Sequence, residues 1–483
     1  MEVRSSDSPE YLSDSSSDRN SFNLTTSREN LSGDLASWCL EFTCSQAAMN
    51  SLLDILRKHG NMLPKDARTL LKVPQEVQCI QKCGGTYYYF GLEAGIKKNL
   101  TGSESEISLS FNIDGLPLFK PSNTQFWPIL CEVGGGKIFI VAIYTGERKP
   151  SSLDVFLDDF LKELCSIKLS GITIKSVVHT VKVRAFLCDA PPRSFLNGTV
   201  GHTGYFSCER CIIKGSWEGR VVFNKEQEFR KRTDEDFSCQ SYKKHQKYKS
   251  PLIAAGIKCV SGFCLDYMHL ICLGAVKRIL KYFRKGPMAR LSQAHILQIS
   301  ERLLEVDKWK ATEFRQFLLY TGPVSLKGIV SEPVYKHFLS LSISVFILVH
   351  PDSNLRKSFL PYCKKLLKYF VNNCKEVFGK TFTVYNIHNL LHICDDVENF
   401  DCSLNEISCF PFENYLHKLK KVVRNANNPT AQIVKRVISE ENNYDGNFKT
   451  STKKITSSSR DNCFFNEDGK LVFVRFVNNN NNT

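Results

Sequence analysis

Three acids far apart in the sequence, Asp114, Asp189 and Glu413, are candidates for shared chemistry. Brought together, their hard oxygen ligands suit Mg2+ or Mn2+. Two such ions, about 3.5–4 Å apart, can activate water or a 3′-hydroxyl and steady the leaving oxygen of a phosphodiester. A single Asp at a strand end is more often a turn or cap residue than a ligand. Three acids on suitable elements in a suitable order are harder to obtain by chance, so the elements that carry them decide the matter.

Two further groups could carry function. Cys208 and Cys211 have the C-x2-C spacing of half a tetrahedral zinc site, although among 19 Cys a chance pair is the competing reading. His202, His269, or the pair His388 and His392 one helical turn apart could complete such a site. Hydrogen-bonded packing on a buried helix is the other reading of that pair. The stretch YKKHQKYK (242–249), with Lys243 and Lys244, interleaves Tyr with Lys and His. It suits backbone contacts and base stacking on nucleic acid, or else it is a solvated charged loop.

The acids need elements to position them. Ile107, Leu109, Phe111 and Ile113 alternate with polar residues up to Asp114, the period of a strand with one buried face. FWPILCEV (126–133) and KIFIVAIYTG (137–146), joined through Gly134–Gly136, read as two more strands. A Ser-capped helix with one apolar stripe is expected over 151–167. VKVRAFLCD (181–189) is a fourth strand ending on Asp189, and EGRVVF (218–223) a fifth candidate. Glu413 lies on a helix expected over 410–425, with Pro411 in its first turn and Phe412, Leu416, Leu419 and Val423 as the apolar stripe. His417, Lys420 and Arg424 share the face of Glu413 at helical steps, and Lys418 and Lys421 add charge able to meet phosphates.

Strand, strand, strand, helix, strand, with Asp closing the first and fourth strands, is the order of a ribonuclease H-like fold. There the first and fourth strands are parallel neighbours, so both carboxylates emerge at one sheet edge. The expected class is therefore α/β: a ribonuclease H-like mixed five-stranded sheet with flanking helices, interrupted by a large all-α insertion domain. The insertion follows because the gap before the third acid is too long for a loop and reads as successive amphipathic helices. The boundaries expected are a Ser-rich disordered arm over 1–33, a small helical region over 34–100 with Ser45 as a cap, and the first part of the core over 101–223. The insertion then spans 224–405, the core-completing helix 406–445, and a polar tail 446–483 with a hairpin around Asp468-Gly469.

The blocks NIDGLPLFKPSNTQFWPIL, FLCDAPPRSFLNGTVGHTGYFSCERC, DYMHLICLGAVKRIL and SCFPFENYLHKLKKVVRNANNP resemble the transposases of eukaryotic cut-and-paste elements, most of all CACTA (En/Spm)-like relatives. The resemblance runs from about residue 34 to 440. It implies an acid triad on Asp114, Asp189 and Glu413, and an Asp-x2-His motif in the insertion, here Asp266 and His269. It also points to His269 as the zinc partner of Cys208 and Cys211, unless Asp266 and His269 instead clamp the insertion to the core. Pro192, before Arg193, departs from the small residue expected there, and no sequence-specific DNA-binding domain is evident.

Composition narrows the class. A formal charge of +15 and pI near 9.0 favour a polyanionic partner. No apolar run is long enough for a membrane span, and the N-terminus is acidic and Ser-rich rather than basic then apolar, which predicts a soluble intracellular protein with reduced thiols. The resulting expectation is a nuclear DNA transposase that cuts element ends and joins them to target DNA as a homo-oligomer, using two Mg2+ or Mn2+ ions and a structural Zn2+. The alternative is a domesticated, catalytically inactive derivative that binds DNA or chromatin.

Overall fold

A computed structural model describes residues 22–42, 44–100, 104–118, 124–134, 136–224, 229–443, 463–465 and 471–473. The chain divides into two compact units, Val77–Val434 and a smaller one formed by Met1–Glu76 with Lys435–Thr483.

The larger unit is built on a mixed sheet of nine strands. They are β1 (Ile80–Lys82), β2 (Gly85–Tyr89), β3 (Glu106–Ile113), β4 (Leu116–Pro117), β5 (Gln125–Val133), β6 (Lys137–Gly146), β7 (Ile172–Ile174), β8 (Val177–Cys188) and, after the separate β9–β10 pair (Ser216–Trp217, Val221–Val222), β11 (Phe263–Leu265). The order across the sheet is β1-β2-β6-β5-β3-β8-β11, with β4 on β5 and β7 on β8. β6, β5 and β3 form an antiparallel meander, whereas β3, β8 and β11 run parallel. A parallel step needs a crossover, and the helix Leu153–Ser170 supplies the first, its N-terminus capped by Ser152. That helix buries Phe156, Leu157, Phe160 and Leu164 against the sheet, where Phe111 meets Phe160 edge-on and Phe186 stacks on Phe263.

The fifth parallel-edge strand is not the expected 218–223. That stretch forms only the small β9–β10 pair, and the sheet is completed by Phe263–Leu265. The helical insertion consequently does not start at residue 224: it follows Asp266, and the described chain from Met268 to Phe400 is helices and turns. At the other edge, residues 80–99 are a hairpin and a helix of the larger unit, rather than part of a separate helical region over 34–100. Gly84 sits at φ 81 in that hairpin turn, a conformation glycine adopts without strain.

In the smaller unit, Ser45 caps the helix Gln46–Lys58 through Ala48 N–H at 3.1 Å, as its position predicts. Met49 and Leu53 pack with Ala36, Cys39, Ala67 and Leu70. The chain is helical from Phe22, within the arm expected to be unstructured; residues 1–21 lie outside the described residues. Cys463–Phe465 pairs antiparallel with Leu471–Phe473, while the turn expected at Asp468-Gly469 lies outside the described residues. The remaining residues of the tail from 444 onward, with the final Asn run, are not among those described.

Candidate functional site

The strand register brings two acids level. Phe111 pairs with Phe186 in the parallel β3–β8 ladder, so Asp114, one residue beyond β3, stands beside Asp189, one residue beyond β8. Asn112 locks this end of the ladder by donating to Leu187 O at 2.7 Å. The pairing of Leu265 with Cys188 places Asp266 next in the same row. Three parallel strands thus each end on an aspartate. Asp114 and Asp189 each accept the N–H of the following residue, Gly115 and Ala190, at 2.7 Å, which fixes one oxygen of each. Trp127 lies against Gly115, where any side chain would collide with the indole.

Glu413 comes from the helix Phe410–Val422, with Pro411 in its first turn and Phe412, Leu416 and Leu419 buried. Its charge acts on Asp114, and it feels the charge of Asp189 in turn. Asp114, Asp189 and Glu413 are thus near enough for their charges to act on one another, although they are not among the groups of His, Cys, Asp and Glu whose ligand atoms all lie within 4.8 Å among the described residues. Burial, with the Glu413 charge next, pushes Asp114 up to about 7. Burial likewise raises Glu413. Burial and like charge outweigh the opposing charge of His269 at both groups.

Asp266 is buried and fully engaged. Its Oδ2 accepts from His269 Nδ1 at 2.6 Å and from His269 N–H at 2.8 Å, and its Oδ1 accepts from Cys409 N–H at 2.7 Å. Burial disfavours charge on His269, yet Asp266, Asp189 and Glu413 together hold its pKa up at about 9. An imidazolium thus stands beside the acids. Asp266 is the acid that sequence reasoning did not place at a strand end, although FCLD (263–266) repeats the pattern of FLCD (186–189).

Cys208 and Cys211 lie elsewhere, in a buried group with His388 and His392 whose four ligand atoms are all within 4.8 Å of one another. His269 is not among them, which corrects its expected role as partner of the cysteines: Asp266 holds its ring against the acids instead. The sulfurs are 3.6 Å apart, and Cys211 Sγ is 3.4 Å from His388 Nε2. Ligands at about 2.3 Å (S) and 2.0–2.1 Å (N) around a tetrahedral ion stand at about such separations. Cys208 Sγ accepts N–H bonds from Arg210 and Cys211 at 3.4 and 3.3 Å. The hydrogen bond from Cys208, with the Ile213 N–H, lowers the Cys211 pKa against the effect of burial, favouring thiolate. His392 Nε2 is buried without a hydrogen-bond partner, while its Nδ1 lies 4.0 Å from Asp395. These four residues could hold a metal ion.

The basic residues expected to meet DNA divide. Lys418 and Lys421 are exposed, but Lys420 donates to Pro117 O at 2.6 Å. The helix stops at Val422, so Arg424 is not on the face of Glu413; its N–H is held by Gln432 Oε1 at 3.0 Å. Lys243 and Lys244 are exposed, whereas His245 and Gln246 between the lysines of YKKHQKYK are buried, with His245 hydrogen-bonded to Phe206 O at 2.7 Å. Searches against protein-family models and against curated proteins gave no match to this chain.

Proposed function

We propose that the chain is a metal-dependent DNA strand transferase of the cut-and-paste kind, with a ribonuclease H-like catalytic domain. One observation carries the reading: Asp114 and Asp189 follow neighbouring parallel strands, and Glu413 from a distant helix is near enough for its charge to act on Asp114. The strand order supports it, since an antiparallel meander, a crossover helix and a parallel return is the order expected of that fold.

Asp114, Asp189 and Glu413 would hold Mg2+ or Mn2+, because all are oxygen donors, all are partly open to solvent, and the charges of Glu413 and Asp189 raise the pKa of Asp114. Such ions supply activation of the attacking hydroxyl and stabilisation of the leaving oxygen. The chain's own contributions are orientation and charge. Gly115 and Ala190 N–H groups fix one oxygen of each aspartate, leaving the other for a ligand. His269, locked by Asp266, sets a cationic donor at the edge of the acids, where a phosphate oxygen would be attracted. Cys208, Cys211, His388 and His392 would hold a structural Zn2+, with a mixed sulfur and nitrogen set and no open position needed. DNA is the polyanion that the charge of +15 suits, and assembly on paired element ends would make the active form an oligomer in the nucleus.

The test is Mg2+-dependent strand cleavage by the purified chain. Asp114→Ala, Asp189→Ala and Glu413→Ala should each abolish it while leaving DNA binding in place. Wild-type protein that binds DNA but never cuts it, with either ion, would leave the domesticated, non-catalytic reading in its stead.

A further inference from the structure

The helical segment that begins beside the acids leads to a second charged surface. Met268–Val276, which carries His269, passes directly into the helix Lys277–Lys285. From that helix Lys277, Arg278, Lys281, Arg284 and Lys285, joined by Arg220 beside the β9–β10 pair, line a cavity of about 650 Å³. Asp307 is the one acid among the described lining residues, and it is already engaged by Lys281 at 2.6 Å and Arg284 at 3.8 Å. Six basic groups therefore face one neutralised carboxylate.

The cations are not loosely held. Arg278 donates from Nε to Phe382 O at 2.8 Å and from Nη2 to Thr381 O at 2.6 Å and to Tyr282 Oη at 3.2 Å. Burial, and the facing charge of Arg220, work against its ionisation. Arg220 is near enough for its charge to act on Arg278, and such a pair of guanidinium groups is relieved by an incoming anion. The lysines at 277 and 281 and the basic pair at 284 and 285 recur about one helical turn, or roughly 5.4 Å, apart, which suits a row of phosphates better than a single one.

A neighbouring cavity of about 450 Å³ shares Arg220, Arg278, Val384 and Asn386, and Trp217 forms part of its wall. Trp217 is 64% exposed, an uncommon use of the largest apolar side chain. An indole face beside cations fits a base attached to a phosphate chain.

We propose that this groove binds the sugar–phosphate backbone of a nucleic-acid strand, with a base stacked on Trp217. It extends the reading of the chain as a DNA-acting protein: the strand would run along the helix for roughly 15 Å between the groove and His269.

The experiment uses the full chain and a fluorescent oligonucleotide, single-stranded and duplex, with affinity measured across a salt series. Arg220, Lys281 and Lys285 are exposed, so the combined variant Arg220→Ala, Lys281→Ala, Lys285→Ala should fold, and matched thermal unfolding checks that it does; each single substitution serves if it does not. The expected result is a log K against log salt slope shallower by about 2 for the combined variant on a single strand. Trp217→Ala should weaken single-strand binding by about 5-fold or more with its slope unaltered. Slopes equal to wild type in the combined and single variants would overturn the proposal. So would displacement of the strand by inorganic phosphate at equal phosphate concentration, which marks a small-anion site, or by polyglutamate at equal charge, which marks a protein surface. The slope change of the combined variant should persist in an Asp114→Ala background. The loss of cleavage in that background reports on the acids alone, so the groove and the catalytic reading can fail separately.

Discussion

Asp266 holds His269 at 2.6 Å through one oxygen, while its other oxygen accepts the Cys409 N–H at 2.7 Å. Glu413 N–H in turn donates to Cys409 O at 2.9 Å. One buried carboxylate thereby ties the last parallel strand to both the histidine and the first turn of the helix that carries the third acid. Asp266 braces the first turn of the Glu413 helix against the end of β11, and with His269 and Cys409 it also belongs to a group whose ligand atoms all lie within 4.8 Å of one another.

Removing that carboxylate should be costly. Asp266→Ala leaves His269 and the Cys409 N–H without their partner in a buried setting, and breaking a buried pair from one side costs roughly 3–5 kcal/mol. Urea unfolding should show a loss of that order. Asp266→Asn retains an acceptor for Cys409 but not the charge opposite His269. It should unfold closer to wild type and still lose most cleavage. An Asp266→Asn protein with full activity would refute the positioning role.

The acid cluster also predicts how metal-free protein responds to pH. Asp114 lies at about 7 in the fold against an ordinary value of 3.8, owing to burial and then to Glu413. A carboxyl whose pKa is raised on folding contributes stability that is complete below its unfolded value and is lost as pH rises through its folded value. The unfolding temperature in chelator should therefore fall between about pH 4 and pH 7 from this source. Mg2+ or Mn2+ should restore it, with the larger effect at the higher pH, where the acids are ionised. Equal stabilisation by the ion at both ends of this range would count against a shared carboxylate site.

The Cys/His group gives a prediction about composition. Metal analysis of purified protein should find one zinc per chain, lost in Cys208→Ser, in His388→Ala and in His392→Ala, and retained in His269→Ala. Because folding of such a site is linked to its metal, chelation should lower the unfolding midpoint of wild type and leave the His388→Ala variant little changed. Zinc retained in His388→Ala but lost in His269→Ala would reverse the assignment.

Much of this arrangement can be read from the sequence, and the exceptions have physical causes. β3, β5, β6 and β8 are legible because alternation or long apolar runs end in turn residues, and Asp114 and Asp189 close two of them. β11 is three residues, Phe263, Cys264 and Leu265, all wholly buried, so it has no alternation to detect. Its absence from the sequence reading displaced the start of the insertion and hid Asp266 as a strand-end acid. His388 and His392 are visible as a helical pair, but only the folded chain brings them to Cys208 and Cys211 rather than leaving them packed apart. Arg424 was misplaced because the helix stops at Val422, before Asn428, at φ 46, leads into the next helix at Pro429.

Arg193 couples the two candidate sites, and its replacement should expose that. Its Nη1 donates to Cys188 O at 3.3 Å and Cys264 O at 2.7 Å, the ends of the strands that lead to Asp189 and Asp266. Its Nε donates to Glu209 Oε1 at 3.1 Å, inside the Cys208–Cys211 loop, and its Nη2 to Tyr385 Oη at 2.8 Å, on the helix that carries His388. Tyr385 closes the ring by donating to Glu209. Arg193→Met fills similar volume but strands Glu209 as a buried charge, so it should destabilise by roughly 3–5 kcal/mol. Arg193→Lys should rescue little, because an ammonium cannot span two carbonyls, a carboxylate and a hydroxyl in the planar fork. The coupling has a second readout: stripping metal from the Cys/His group should slow cleavage at the acids even when Mg2+ is saturating, because the strand ends are braced against that loop. Arg193→Met protein with the wild-type urea midpoint and full cleavage would show that the two sites are mechanically independent.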